Sequence, residues 1–125
     1  MSIALYDKTS QKISRGIALN YSTSFSLGIK LLGKKFRDPV FSIYGMVRVA
    51  DEIVDTFHLW DQEKMIDQFE ADTYRAIEEG ISTNPVLHAF QMVANQFGIG
   101  KDLIGPFFSS MKEDLKKDSH DIESY

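Results

Sequence analysis

Two aspartates, a tyrosine and an arginine form the group of side chains in this sequence best suited to chemistry. Tyr44, Arg48, Asp51 and Asp55 follow one another at intervals of four, three and four residues. At about 100° per residue, a helix places all four in one narrow stripe. The adjoining positions are mostly apolar, which predicts a largely buried helix. Because Asp and Arg are almost never buried without a partner, the stripe must face a polar cavity or solvent.

The aspartate pair is suited to a divalent cation. Asp51 and Asp55 lie one turn apart, where like charges repel by a few tenths of a kcal/mol unless a cation lies between them. Carboxylate oxygens favour Mg²⁺, which typically binds one or two carboxylates together with substrate phosphates. Arg48 can neutralise one carboxylate or bind a phosphate through two parallel hydrogen bonds. The alternative is a solvated acidic face on which Arg48 pairs with Glu52 or Asp51.

Helix signals along the chain predict an all-α fold. Asp38-Pro39 and Asn84-Pro85 each place a capping side chain before a proline at the first helical position, and Asp61 opens another run with acidic residues in its first turn. Gly80 and Gly98 suit helix C-termini. The apolar spacing predicts helices over about 5–20, 39–57, 61–79, 85–97 and 103–115. Pro106 marks either a kink in the last helix or the start of its regular part.

Composition narrows the classes of function. The chain has 125 residues, a length that fits one domain. Its formal net charge of −4 argues against a nucleic-acid partner. The absence of cysteine excludes disulfides and thiolate metal sites and is consistent with a cytoplasmic location. The sequence contains no apolar run long enough to span a bilayer, and its start lacks the pattern of a secretory signal.

Four stretches of the sequence resemble the N-terminal part of the squalene/phytoene synthases. They are Tyr21–Gly28, Arg37–Asp55, Phe108–Leu115 and Asp121–Tyr125, in the order and at the spacings of the family. The resemblance is strongest to bacterial phytoene synthases. It implies an all-α isoprenoid synthase fold and an enzyme that joins two prenyl diphosphates head to head. It also implies Mg²⁺ or Mn²⁺ as the cofactor that holds the diphosphates.

The resemblance implies roles for individual residues, carried over position by position. The metal ligands are Asp51 and Asp55, the catalytic pocket contains Tyr44 and Arg48, and the substrate is contacted by Ser22, Ser24, Phe25, Arg48 and Asp114. Within that set, the two serines contact a diphosphate and the phenylalanine closes over the substrate. Phe90, Phe107 and Phe108 are expected only to pack in the core.

The sequence departs from the family in one respect. The second aspartate-rich motif of the family does not occur in residues 1–125. We therefore expect one N-terminal segment, the first half of the synthase fold, that is inactive alone. Apolar helix faces without partners promote association, so we also expect a homo-oligomer.

Several alternatives stay open on the sequence. The substrate is geranylgeranyl diphosphate, giving phytoene for carotenoid biosynthesis, or farnesyl diphosphate, giving a squalene-type product. A non-catalytic helical interaction module is the alternative from a different class. The basic cluster at residues 34–37 suits either a solvated turn or an anionic surface, and peripheral contact with a membrane is a further partner to test.

Overall fold

Five α-helices form the part of the chain that the structure describes. The computed structural model describes residues 2–21 and 34–123, and these contain no β-strand. The helices are α1 (Ile3–Tyr21), α2 (Lys34–Asp55), α3 (Gln62–Glu79), α4 (Pro85–Phe97) and α5 (Lys101–Glu123). The all-α prediction is confirmed. No helix in the described ranges is both long and apolar enough to cross a bilayer.

The predicted cap of α4 at Asn84 and the predicted start of α3 at Asp61 are confirmed, and Asp61 also caps α3. The Asp61 carboxylate accepts a hydrogen bond from the Lys64 N–H at 3.1 Å. The Asn84 side chain accepts from the first N–H groups of α4, and Pro85 occupies the first helical position. Gly80 and Gly98 end the two helices with φ of 71°, in the left-handed region that favours glycine. Local side-chain chemistry therefore sets both ends of these helices.

The predicted start of α2 at Pro39 is wrong. The helix begins at Lys34, so Asp38 lies inside it rather than capping it. Pro39 and Pro106 are each the sixth residue of their helix. The first four N–H groups of a helix have no intrahelical partner, so a proline at this point removes only one of the earliest bonds. For the same reason α5 begins at Lys101, before Pro106, rather than at the proline.

Helix α2 lies at the centre of the fold and contacts the other four helices. The main core contains, among others, Met46, Ala50, Ile53, Val54, Ile66, Leu87, Phe90, Ile104 and Phe108. Phe90 and Phe108 are at most 2% exposed, and Phe107 packs against the core. Burying one such ring fully stabilises the fold by about 1.5–3 kcal/mol. These three phenylalanines therefore have the packing role expected for them.

Helices α1 and α2 approach each other closely through small residues. Ser10, Ser14 and Ala18 of α1 are fully buried. A Cβ atom placed on Gly45 of α2 would lie 2.8 Å from Ser14 Oγ and 2.9 Å from Ser14 Cβ. Glycine is therefore required at this position for the observed spacing between the two helices.

A network of hydrogen-bonded side chains connects α1 to α4. His88 is 1% exposed, and its Nε2 lies 2.6 Å from Asp7 Oδ1. The Ser82 N–H donates to His88 Nδ1 at 3.3 Å, so Nε2 carries the proton that Asp7 accepts. The Tyr6 hydroxyl donates to the Ser82 carbonyl at 2.6 Å, and its ring lies against His88. This histidine is thus satisfied in the interior and has a structural role.

Helix α5 is fastened to α3 by one lysine. Lys112 Nζ lies 3.0 Å from Asp67 Oδ1 and also pairs with Glu70. Both carboxylates raise the pKa of Lys112 by accepting its hydrogen bonds. This partly exposed contact joins α5 to α3 in addition to the core contacts of Ile104 and Phe108.

Candidate functional site

The polar stripe of α2 has the burial that its sequence pattern predicts. Tyr44, Arg48 and Asp51 are half-buried, whereas Asp55, one turn further on, is exposed at the C-terminus of the helix. The opposite sides of the same turns contribute Ala50, Ile53 and Val54 to the core. The apolar positions of α2 therefore hold its polar stripe at the edge of the bundle.

Arg48 is the charged centre of the stripe. Its Nη2 donates to Glu52 Oε1, and its Nη1 lies 3.9 Å from Asp51 Oδ2. The guanidinium carbon lies 4.7 Å from the centre of the Tyr21 ring at the end of α1, within the range of a cation–π contact. Its Nε is buried and has no hydrogen-bond partner. Arg48 is thus held between two acids and a ring, with unused donor capacity.

Asp51 lies in surroundings that oppose its negative charge. Burial raises its pKa, and the neighbouring charges of Asp55, Glu52 and Asp114 raise it further, while Arg48 lowers it. Asp114 belongs to α5, so acids from two helices act on the same carboxylate. Among the residues that the structure describes, the single guanidinium of Arg48 does not balance this group of acids. The region therefore favours additional positive charge.

The pKa of the adjacent acid, Glu52, is shifted in the opposite direction. Hydrogen bonds from Arg48 and Thr56 lower the pKa of Glu52, and its side chain is only 17% exposed. The pairing of Arg48 with Glu52 or Asp51, which the sequence offered as the solvated alternative, is therefore present, and Glu52 is the main partner. Because Arg48 pairs mainly with Glu52, its interaction with Asp51 is the weaker of the two.

The donor set suits a hard divalent cation that also binds a substrate. Asp51 and Asp55 supply carboxylate oxygens, the ligand type that Mg²⁺ and Mn²⁺ prefer. Among the described side chains, no three acids or histidines come close enough to hold a metal by themselves. Mg²⁺ commonly binds one or two carboxylates and completes its shell with phosphate oxygens and water. The two aspartates fit that mode of binding.

The remaining residues proposed from the sequence divide into two groups. Ser22, Ser24 and Phe25 lie outside the described residues. Asp114 is exposed on α5 and acts on Asp51 through its charge. The set from the sequence did not include Tyr21, because only the tertiary structure brings its ring over Arg48.

The comparisons with known proteins point to one family. Neither the curated proteins nor the solved structures include a match to this chain. The sequence model of the squalene/phytoene synthase family matches residues 18–125, which include the whole polar stripe of α2. The chain therefore belongs to the squalene/phytoene synthase family.

Proposed function

We propose that this chain provides the first metal and diphosphate site of a prenyltransferase that condenses two prenyl diphosphates head to head. Family membership supports the class of reaction. The observation that carries the proposal is the position of Asp51, a half-buried carboxylate one turn before Asp55 and 3.9 Å from Arg48. Burial and the acids of α2 and α5 raise its pKa. Such a site gains most from a divalent cation, which neutralises the carboxylates.

In this proposal Asp51 and Asp55 are the metal ligands, for Mg²⁺ or Mn²⁺. The cation would neutralise the diphosphate so that it leaves as a stable anion. Arg48 would retain Glu52 as its partner and direct its other N–H groups at a phosphate oxygen. Holding the guanidinium in place beforehand reduces the ordering that binding requires.

The other residues have proposed roles in binding and in protecting the reaction. Tyr44 lies one turn before Arg48, and, after Glu52 and Asp51, it also raises the pKa of Arg48. Its ring would therefore face the same pocket, where an aromatic face stabilises a carbocation. Ser22 and Ser24 would contact the diphosphate, and Phe25 would help to exclude water. Asp114 would contact the bound substrate together with its cations.

We propose geranylgeranyl diphosphate as the substrate and phytoene as the product, as in carotenoid biosynthesis. The squalene-type reaction on farnesyl diphosphate is the alternative, because both use the same diphosphate chemistry. We further propose that residues 1–125 act as an N-terminal segment that is inactive until a second aspartate-rich motif is supplied, and that the segment forms homo-oligomers. The proposed location is the cytoplasm, with contact at a membrane surface where an apolar product would leave.

The experiment is calorimetric titration with a non-reactive thio-diphosphate analogue of geranylgeranyl diphosphate, with and without Mg²⁺. We expect binding that requires Mg²⁺ and is lost in Asp51→Asn. The matched control is Asp102→Asn, a neutralised aspartate that is exposed near the start of α5. Binding that is equal with and without Mg²⁺, or equal in the two variants, would contradict the proposal.

A non-catalytic helical module is the second candidate. It is favoured by the pairing of Arg48, since Glu52 and Asp51 satisfy much of its charge without a ligand. This candidate predicts that Asp51→Asn and Asp55→Asn change no binding property of the chain. The calorimetric titration therefore separates the two candidates.

A further inference from the structure

The outward face of α1 combines basic and large apolar side chains. At about 100° per residue, Leu5, Lys8, Lys12 and Leu19 fall within a sector of about 60°. The basic–apolar face of α1, as we call it, contains Leu5, Lys8, Lys12, Ile13, Arg15 and Leu19. All six are exposed, and the three apolar members are 40–58% exposed. The buried positions of α1 lie on the other side, so the core does not require any of these side chains.

The charge of this face is opposite to that of the protein. The chain as a whole carries −4, whereas the face carries three cations and no carboxylate. The only acid on α1, Asp7, is bonded to His88 away from the face. Within the described residues, none of the three cations makes an ion pair.

One acid of α2 lies beside the face without balancing it. Asp38 lines a shallow depression together with Lys8, Gln11, Lys12 and Arg15, so a surplus of positive charge remains. Lys8 and Lys12 are also spaced i,i+4, an arrangement that destabilises a helix by a few tenths of a kcal/mol. The intrinsic stability of α1 therefore does not explain this arrangement, whereas an anionic partner would.

We propose that the basic–apolar face of α1 docks on an anionic lipid surface. Helices that lie in a membrane interface combine Lys and Arg with aliphatic side chains that enter the boundary of the acyl chains. The long stems of Lys and Arg let their charged ends reach the headgroups while Leu5 and Leu19 enter the apolar part of the lipid layer. A free phosphate would account for the cations but leave the two leucines unexplained.

This inference specifies the surface for the membrane contact proposed above, and it is independent of the synthase chemistry. Residues 3–17 precede the family match, so family membership assigns them no role. Asp51→Asn, which is expected to abolish binding of the diphosphate analogue, should leave lipid binding unchanged. Failure of one proposal therefore does not imply failure of the other.

The test is co-sedimentation of the protein with phosphatidylglycerol-containing vesicles and with pure phosphatidylcholine vesicles, without Mg²⁺ or prenyl diphosphate. A protein of net charge −4 is repelled by anionic vesicles unless a local patch binds them. Each basic residue near such a surface strengthens binding roughly fivefold, so Lys8→Gln/Lys12→Gln should weaken it about 30-fold. The matched control Lys116→Gln/Lys117→Gln removes two exposed cations of α5 and should leave binding unchanged.

A second pair of variants tests the apolar part of the face. Leu5→Ser/Leu19→Ser should weaken binding to the anionic vesicles, whereas the control Leu59→Ser/Ile81→Ser, at exposed apolar positions elsewhere, should not. Circular dichroism verifies that each variant is folded. The proposal is overturned by equal binding to the two vesicle types, by equal losses in the lysine variants, or by no loss in Leu5→Ser/Leu19→Ser. A change of oligomeric mass in Lys8→Gln/Lys12→Gln with unchanged vesicle binding would instead assign the face to a protein contact.

Discussion

Replacing Asp51 with asparagine should stabilise the ligand-free protein and abolish its response to Mg²⁺ with a diphosphate. The carboxylate is half-buried, its pKa is raised by burial, and Asp55, Glu52 and Asp114 repel its charge. Among the described residues, the variant loses only the 3.9 Å contact with Arg48, and a partly exposed pair of this kind contributes at most about 1 kcal/mol. We expect a net gain of about 0.5 kcal/mol, since each like-charge neighbour costs a few tenths of a kcal/mol.

The matched control is the same chemical change one residue further on. Glu52→Gln removes the charge of an acid whose pKa is lowered by hydrogen bonds from Arg48 and Thr56. We expect this variant to lose about 1 kcal/mol, because it weakens a partly buried, charge-assisted hydrogen bond. The two variants should therefore differ by about 1.5 kcal/mol, or about 6 °C in Tm for a domain of this size.

Thermal unfolding with and without Mg²⁺ and the thio-diphosphate analogue measures both effects. A ligand present at about a hundred times its Kd adds about 2.7 kcal/mol to the stability of a protein that binds it only when folded. Wild type should show this gain when Mg²⁺ and the analogue are added together. Asp51→Asn should show none of it, and Glu52→Gln should retain part.

The pH dependence follows from the directions of the two pKa shifts. Because the pKa of Asp51 is raised, its charge destabilises the fold as pH rises from the ordinary aspartate range through the raised pKa. Because the pKa of Glu52 is lowered, its contribution is complete above the ordinary glutamate range and is lost as pH falls through the lowered pKa. The free energies of unfolding of Asp51→Asn and Glu52→Gln should therefore differ from that of wild type more near about pH 7 than near about pH 4, with opposite signs.

One result would refute this reasoning. If Asp51→Asn destabilises the ligand-free protein as much as Glu52→Gln does, Asp51 is a structural partner of Arg48. The crowding of acids around Asp51 would then not be the feature that favours a cation.

Three further predictions concern the packing of the helices and the cap of α4. Gly45→Ala should cost about 1–3 kcal/mol because its Cβ would meet Ser14, and Ser14→Gly should recover part of the loss; a double-mutant cycle showing no coupling would contradict the close approach. His88→Ala should cost about 2–4 kcal/mol in urea unfolding, since it leaves a cavity and an unpaired Asp7; a cost within experimental error would contradict the α1–α4 network. Asn84→Ala should cost about 1 kcal/mol, because it removes the side chain that accepts the first N–H groups of α4; a cost within experimental error would show that the cap bond contributes little.

Much of the fold was predictable from local signals. The caps at Asp61 and Asn84 and the ends at Gly80 and Gly98 depend on side chains and glycines within a few residues of each helix end, so the sequence contains the whole cause. The start of α2 was not predictable in this way. Asp38-Pro39 has the local pattern of a helix start, but a proline at the sixth helical position removes only one early bond, so the helix can begin before it.

The spacing of Tyr44, Arg48, Asp51 and Asp55 was enough to place them on one side of a helix, because the helical repeat is a local property of the backbone. The apolar neighbours were also enough to predict that this side lies at the edge of a core. The metal ligands themselves remain predictions, because helical spacing brings side chains together without showing what they bind.

What required the tertiary structure was the choice among partners that local geometry permits equally. Arg48 can reach acids three and four residues away on its own helix, and in the folded protein it pairs with Glu52 and lies 3.9 Å from Asp51. Tyr21 reaches Arg48, Asp114 acts on Asp51, and Lys112 binds Glu70 across distances in sequence that no helical repeat encodes. These contacts arise when helices pack, because only packing brings together charges from different helices and excludes the water that would screen them.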